Sequence, residues 1–224
     1  MPLYKIIKIN ETTTAYFWYI SEDVTALFRA ISLSDSSLNR YEGMKSESHQ
    51  KGFLAVRMLL QHLGYSDTNL TYDEVGKPHL RYEVSVTKYE NEKPLSNKKH
   101  ISISHSHAFS CICISDEEIG IDLELKKEKT LKIAPRFMDV NHLQGLSIAD
   151  QITKATIIWG IKESIFKIKS EKGISFPDHI FEDAFEISEG KCTAKLHFNG
   201  QIENFLVQFE QIDAYVFVFC KGLK

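Results

Sequence analysis

Hydrophobic and polar residues alternate along several short stretches of the chain. Alternation of this kind predicts β-strands, because successive side chains of a strand point to opposite faces. It occurs at residues 4–9 and 14–20 and three times between residues 100 and 125. Three more strands are predicted towards the C-terminus, where the Asn-Gly pair at 199–200 is typical of a hairpin turn.

Two longer stretches instead place apolar residues at helical spacing. They cover residues 46–63, followed by a glycine suited to ending a helix, and residues 148–170. The order is therefore strands, helix, strands, and then strand, helix, strands. This order predicts an α+β fold of two similar halves, residues 1–116 and 117–224, each with a mainly antiparallel sheet against a long helix. The cleft between the halves is the expected ligand site.

Composition limits the classes of protein to consider. The chain has 224 residues, of which 43% are hydrophobic, and this is enough for a sizeable core. A formal net charge of -3 gives no general attraction to nucleic acid or to anionic membranes. No apolar run approaches the roughly 20 residues needed to cross a bilayer, and the N-terminus lacks a signal-peptide pattern. Four cysteines do not make a disulfide framework. We expect a cytoplasmic protein that binds neither nucleic acid nor membranes.

Two carboxylates lie in the stretch IGIDLE at 119–124. Asp122 and Glu124 are two residues apart on a predicted strand, so both point to one face, about 7 Å apart along the chain. Like charges this close repel each other. The pair is either a solvated strand end or a site for a hard cation such as Mg²⁺, which takes one or two protein carboxylates together with phosphate oxygens.

A third acid lies on the second predicted helix, in WGIKESIFK at 159–167. Glu163 and Lys167 are four residues apart and share a helix face, and Lys162 lies beside them. One interpretation is a surface ion pair of little energetic consequence. The neighbouring Trp159 and isoleucines indicate instead that this face is not freely solvated. An acid between two lysines suits a metal-bound phosphate.

The stretch SISHSHA at 102–108 is a third polar cluster. On a strand, His105 and His107 share one face, and Ser104 and Ser106 share the other. The cluster has three interpretations. It is a polar strand end, a zinc site completed by a carboxylate, or a phosphate site of serine hydroxyls and a protonated imidazole.

Basic residues elsewhere add less specific signals. Lys77 is expected to be exposed in the turn GKP, and Arg57 either lies at the core edge or binds an anion. Residues 125–137 hold five basic residues and one acid, a local charge of +4, ahead of a short helix. This segment is either a solvated basic face or a docking surface. A polar loop is predicted at 88–100.

Taken together and in this order, the motifs resemble the signature of the 4'-phosphopantetheinyl transferases. They are GKP at 76–78, ISHS at 103–106, IGIDLE at 119–124 and WGIKESIFK at 159–167. The length is similar to that of the monomeric surfactin-type group. The resemblance implies a monomeric enzyme that moves the phosphopantetheine arm of coenzyme A to a serine of an apo acyl or peptidyl carrier protein. It implies Mg²⁺ as cofactor, adenosine 3',5'-bisphosphate as product and an acidic carrier as partner.

The resemblance also implies roles for individual residues. Asp122, Glu124 and Glu163 would hold the metal, and Glu163, Lys167 and His105 would be the catalytic residues. The residues that would contact coenzyme A are Arg57, Lys77, Pro78, Ser104, His105, Lys162 and Lys167. Residues 133–143 resemble the segment that docks the carrier.

The chain departs from the family pattern at three places. His49 stands where arginine is common, Gly52 where glutamate is common, and the region of Asn141 lacks the usual acid. Two other classes of function stay open. One is a non-catalytic module that binds coenzyme A or a carrier, which would be expected to lose one of Asp122, Glu124, Glu163 or Lys167. The other is a zinc hydrolase centred on His105, His107 and Asp122.

Overall fold

A computed structural model describes residues 3–81 and 99–223. Most of the polar loop predicted at 88–100 lies outside the described residues. Within the described part, no helix is both long enough and apolar enough to cross a membrane.

Strands and helices alternate along the chain largely as the hydrophobic pattern predicts. The strands are β1 (Leu3–Asn10), β2 (Thr13–Tyr19), β3 (Leu70–Tyr72), β4 (Pro78–Leu80), β5 (His100–Ser106), β6 (Phe109–Ser115), β7 (Ile119–Leu125), β8 (Ile180–Glu182), β9 (Lys191–Phe198), β10 (Gln201–Ile212) and β11 (Tyr215–Gly222). The helices are α1 (Val24–Arg29), α2 (Asp35–Glu42), α3 (Glu47–His62), α4 (Glu128–Ile133), α5 (Ile148–Lys169) and α6 (Phe176–His179).

The strands form two larger antiparallel sheets. The first has the order β1-β2-β6-β5 and the second the order β7-β11-β10-β9-β8, while β3 and β4 pair separately. The predicted α+β class is confirmed. The Asn-Gly hairpin joins β9 to β10, and both of its residues have positive φ, at 51° and 73°, as the predicted turn requires.

Three apolar cores hold the sheets and the two long helices together. Helix α3 packs on the first sheet through residues such as Leu59 and Leu60, which are fully buried. Helix α5 packs on the second sheet through its isoleucines. The two sheets face each other across a core in which the Phe17 and Phe217 rings meet edge to face at 5.0 Å. The molecule is therefore layered as helix, sheet, sheet and helix.

Two glycines allow α5 to lie unusually close to the second sheet. A Cβ atom on Gly120 of β7 would lie 1.9 Å from the backbone oxygen of Ser164. A Cβ atom on Gly160 of α5 would lie 2.6 Å from Val218 on β11. Side chains at these positions are excluded, and this close approach brings the face of α5 directly onto the acidic face of β7.

Candidate functional site

A cavity of about 430 Å³ opens between α3, β4, β5 and the end of α5. Its walls include Tyr72, Pro78, His105 and Lys167. The guanidinium of Arg40 lies 4.3 Å from the ring centre of Tyr72, so one wall offers a flat, positively charged surface. The cleft joins residues from the first sheet, from the β3–β4 pair and from both long helices.

Asp122 lies buried on β7 near the cleft, with only 4% of its surface exposed. Its Oδ1 accepts hydrogen bonds from Lys167 Nζ at 2.8 Å and from Ser104 Oγ at 3.0 Å. Its Oδ2 is buried and has no hydrogen-bond partner among the described residues. A buried carboxylate oxygen without a protein partner is costly, and a bound ion or water is one way to satisfy it.

Glu124 follows two residues later on the same face of β7. It is half-buried, and its Oε2 accepts a hydrogen bond from Ser106 Oγ at 3.0 Å. Burial, followed by the negative charge of Asp122, raises the pKa of Glu124 to about 7. The charge of Asp122 thus adds to the effect of burial, and a nearby cation would favour the ionised form of Glu124.

Glu163 is half-buried on α5, one turn before Lys167. Burial raises the pKa of Glu163 first, and the charge of Asp122 raises it further, whereas Lys167 lowers it. The strand acid Asp122 and the helix acid Glu163 therefore influence each other electrostatically, although 41 residues separate them in the chain.

The three acids do not form a ready-made metal cage. Within residues 3–81 and 99–223, no group of three His, Cys, Asp or Glu side chains is arranged to hold a metal ion. Mg²⁺ needs no such group, because one or two carboxylates plus phosphate oxygens suffice. The free Oδ2 of Asp122 and the raised pKa of Glu124 fit a cation that arrives with a phosphate ligand.

The Ser104 side chain makes hydrogen bonds within the protein that its motif did not indicate. Its Oγ accepts the backbone N–H of Leu123 and donates its one proton to Asp122. In this structure the hydroxyl holds Asp122, and the contact of Ser104 with coenzyme A stays a prediction.

His105 lies on the cleft wall, where its ring packs against Gly52 of α3. A Cβ at position 52 would lie 3.1 Å from His105 Cγ, so the glycine leaves room for the ring. Desolvation by the surrounding protein lowers the pKa of His105, although part of the residue is exposed to solvent. The positive charges of His49 and Lys167 lower it further. The His49 ring lies 6.1 Å away. A phosphate in the cleft would favour protonation of His105.

Lys77 and Pro78 line the same cleft as His105. The Lys77 Nζ donates to Glu118 Oε1 and to the backbone oxygen of Ile168 near the end of α5, both at 2.5 Å. Their predicted contacts with coenzyme A stay predictions, and the cleft gives both residues access to a ligand.

Arg57 also borders the cleft, but its side chain is already paired. It is 3% exposed, its Nε donates to Asp67 Oδ1 at 3.0 Å, and its guanidinium lies 3.4 Å from the ring centre of Phe53. Arg57 therefore lies inside the core with its guanidinium buried, and not at the core edge as one of the two interpretations predicted. Its contact with coenzyme A stays a prediction, and the observed role is structural.

The pairing of Asp67 predicts a stability that depends on pH. Burial alone would raise the pKa of Asp67, but hydrogen bonds from Ser34 and Ser37 and the charge of Arg57 together lower it. The stabilisation is therefore complete above the unfolded pKa of about 3.9 and is lost as the pH falls through the lower folded pKa. Asp67→Asn should cost about 1–3 kcal/mol at pH 7, and this difference should shrink in acid.

Urea denaturation from pH 7 down to pH 2 measures this prediction. Glu74→Gln is the matched control, since Glu74 is an exposed acid on a nearby turn and its loss should change nothing. A cost of Asp67→Asn that stays constant over the whole pH range would contradict the assignment.

Lys162 does not line the cleft, and its predicted phosphate contact stays a prediction that this placement does not support. It is 2% exposed, its Nζ lies 2.9 Å from Glu182 Oε2, and it also donates to the backbone oxygen of Ile180. One residue along a helix turns the side chain by about 100°, so Lys162 points towards β8 while Glu163 and Lys167 point towards β7. Its ammonium fills a structural role on the far side of α5.

The zinc interpretation also fails in its geometry. His107 lies beyond the end of β5, in a turn with a φ of 48°, and its ring contacts Lys127 Nζ. The expectation that His107 shares a strand face with His105 is wrong. The described residues hold no three-residue zinc site, as noted above for metals in general.

A second cavity, of about 210 Å³, lies on the other side of Glu124. Its lining includes Leu125, Ile133 and Trp159, together with Lys127 and Lys129 of the basic segment. The sequence analysis missed this cavity, since it combines residues from β7, α4 and α5. Glu124 lines this smaller cavity, while Lys167, which pairs with Asp122, lines the larger cleft.

The chain is similar to curated 4'-phosphopantetheinyl transferases, while no family model matches it. It is 27% identical over 182 residues to the 4'-phosphopantetheinyl transferase gsp of Aneurinibacillus migulanus, covering 77% of this chain and 66% of that protein. It is 28% identical over 166 residues to the 4'-phosphopantetheinyl transferase Sfp of Bacillus subtilis strain 168, covering 70% and 63%. A further Bacillus subtilis 4'-phosphopantetheinyl transferase is 31% identical over 107 residues, covering 46% and 42%. The aligned part spans just under two thirds of the first two relatives.

Proposed function

Because the chain is related to the 4'-phosphopantetheinyl transferases, as its motifs predicted, we propose that it transfers the phosphopantetheine arm of coenzyme A to a serine of an apo carrier protein. The product would be adenosine 3',5'-bisphosphate, and the reaction would depend on Mg²⁺. One observation supports this proposal above the others. Asp122, with a free buried oxygen, lies beside Glu124 and Lys167 at the edge of a cleft large enough for a nucleotide.

The two cavities suggest where each part of coenzyme A would bind. The nucleotide end of coenzyme A would occupy the larger cleft, against Lys77, Pro78 and His105, with His105 near the 3'-phosphate. The diphosphate would lie at the acids, and the arm would extend into the smaller cavity beside Trp159. We also propose the division into residues 1–116 and 117–224, with the site between the two parts.

The chain's own groups supply positioning and charge. Phosphoryl transfer is catalysed mainly by alignment and by neutralisation of charge in the transition state. Bound Mg²⁺ would supply Lewis-acid neutralisation of the diphosphate, held by Asp122 and Glu124 with Glu163 as a third ligand. Lys167 would contact the phosphate, since it lines the cleft and its ammonium lies 2.8 Å from Asp122 Oδ1. We assign to Glu163 the acceptance of the serine proton, directly or through a water.

The carrier partner is proposed from the basic segment. In residues 125–137, the side chains of Lys127, Lys129, Lys132 and Arg136 are exposed. An acidic carrier would be attracted to this surface, and the adjoining residues 133–143 would complete the docking site. All four cysteines are free, which fits a reducing compartment such as the cytoplasm. A monomer is the proposed state.

Reversing the charge of this surface should weaken the binding of the carrier without changing the binding of coenzyme A. We expect Lys132→Glu with Arg136→Glu to raise the KM for an acidic carrier by about tenfold, because like charges slow association. Added salt should raise the carrier KM of the unmodified protein in the same way. Steady-state rates with each substrate varied in turn measure both effects.

Lys191→Glu is the control for charge alone, since Lys191 is exposed on β9. An equal rise of the carrier KM in the control, or an equal rise of both KM values, would assign the segment to an ordinary solvated face.

Mass spectrometry of the carrier tests the function itself. The protein is incubated with Mg²⁺, coenzyme A and a panel of apo-carriers, and each carrier is then weighed. A gain equal to one phosphopantetheine on the carrier serine supports the proposal. Binding of coenzyme A without any mass gain, across fatty-acid, polyketide and peptide-synthetase carriers, would favour the non-catalytic module.

A further inference from the structure

The edges of the two large sheets meet along a row of serine side chains. β5 and β7 are not hydrogen-bonded neighbours within either sheet. Instead, three alternate serines of β5 accept backbone N–H groups from three alternate residues of β7. The pairs are Ser102 with Ile121 at 3.0 Å, Ser104 with Leu123 at 3.0 Å and Ser106 with Leu125 at 3.2 Å. Side-chain hydroxyls thus replace backbone carbonyls along this seam.

Two of the three hydroxyls also hold an acid. A serine hydroxyl has a single proton to donate while it accepts elsewhere. Ser104 donates to Asp122 Oδ1 and Ser106 donates to Glu124 Oε2, each at 3.0 Å. For Ser102, by contrast, no carboxylate acceptor is found in the described part of the chain.

The register of the seam explains why both acids are held alike. The two donors are two residues apart on β5, and the two acids are two residues apart on β7, so each pair repeats the same strand geometry. Ser104 and Ser106 are buried, at 6% and 7% exposure, which fixes their hydroxyl directions. Each bond occupies one oxygen of a carboxylate and leaves the other for a ligand.

A seam that served only to join the sheets would need the N–H bonds alone. Ser102 shows that such a bond forms without an acid. A buried hydroxyl that accepts an N–H still has one proton to donate, and in Ser104 and Ser106 that proton goes to an acid. A hydrogen bond from a neutral donor fixes the orientation of a carboxylate without cancelling its charge. Ser106 supplies such a bond to Glu124, whereas Asp122 is bonded both to Ser104 and to the Lys167 ammonium.

We infer that Ser104 and Ser106 are positioning residues that orient Asp122 and Glu124 towards the bound cation and diphosphate. This inference rests on the proposed function. Ser106 is its sharper test, because Ser104 also contacts Lys167. Groups that orient metal ligands from behind typically change metal affinity by about 10- to 100-fold when they are removed.

Three variants separate positioning from stability. Ser106→Ala removes a seam bond and the bond to Glu124, Ser102→Ala removes only a seam bond, and Ser106→Thr keeps the hydroxyl. Binding of Mn²⁺ in the presence of coenzyme A is measured by the paramagnetic resonance of the free ion, and stability is measured by urea denaturation. We expect Ser106→Ala to lower the affinity for Mn²⁺ by about tenfold, and Ser106→Thr to keep most of the affinity of the unmodified protein. Ser102→Ala should lower the urea midpoint similarly but leave Mn²⁺ affinity within about twofold.

Two results would overturn the inference. Unchanged Mn²⁺ affinity in Ser106→Ala is one, and equal weakening in Ser102→Ala and Ser106→Ala is the other. If Ser106→Thr does not fold, the contrast between the two alanine variants still decides. Failure of the unmodified protein to bind Mn²⁺ with coenzyme A is a separate observation, and it would remove the proposed cation requirement together with the inference.

Discussion

Replacing Asp122 with asparagine is expected to lower kcat/KM for coenzyme A by at least about 100-fold. Asparagine retains the size of the side chain and one oxygen for Lys167 and Ser104. It removes the charge and places an amide where the buried Oδ2 has no partner. Because the proposed cation binds through that oxygen, the concentration of Mg²⁺ needed for half-maximal rate should rise as well. Initial rates over a series of Mg²⁺ and coenzyme A concentrations measure both quantities.

Asp116→Asn is the matched control for this experiment. Asp116 is an exposed acid between β6 and β7 that pairs with Lys99, and exposed pairs contribute little. We expect its rates to stay within about twofold of the unmodified protein. An Asp122→Asn variant that folds, as judged by circular dichroism, and keeps its full rate would exclude Asp122 from the reaction.

Replacing Lys162 with methionine is expected to destabilise the fold by about 3–5 kcal/mol without disturbing the cleft. The change leaves Glu182 buried, with 4% of its side chain exposed and its main cation gone. His142 lies 3.5 Å from the other oxygen of Glu182 and would compensate in part, which favours the lower end of this range. For a chain of this size, a loss of about 3 kcal/mol corresponds to a fall in Tm of about 6–12 °C.

A double variant separates the buried pair from the general cost of mutating α5. Lys162→Met with Glu182→Leu replaces the pair by apolar groups, which is often neutral or stabilising. Its stability should therefore recover well above that of the single variant, as measured by urea denaturation. A single variant of normal stability whose KM for coenzyme A rises tenfold or more would instead restore Lys162 to the phosphate site.

The two long helices and most strands follow directly from periodicity. Residues 46–63 and 148–170 were predicted as helices, and α3 and α5 agree with these limits to within one residue at each end. Helices α1 and α2 were missed, because segments of six and eight residues are too short to show a helical period of apolar residues. Their N-terminal caps, Asp23 and Ser34, were the available signal.

The site was predictable in its residues but not in its partners. Family motifs identified Asp122, Glu124 and Lys167, and the fold brings them together. The position of Lys162 was misread because a sequence motif does not say which way each helical side chain points. Its partner Glu182 is 20 residues away, on a strand that the periodicity did not reveal.

The serine seam could not be predicted from the sequence for a related reason. Alternation places Ser104 and Ser106 on one face of β5, as predicted. It does not show that the edge of a second sheet lies against that face. The register between β5 and β7 depends on how the two sheets pack, and only a three-dimensional structure supplies it.

The most direct test is a crystal structure of the protein with coenzyme A and Mn²⁺, with the ion located by anomalous scattering. We predict one Mn²⁺ within coordination distance of the Asp122 and Glu124 carboxylates and of the diphosphate, with Glu163 facing the same ion. An ion bound elsewhere, or a diphosphate bound away from these acids with Asp122 Oδ2 still without a partner, would contradict the proposed site.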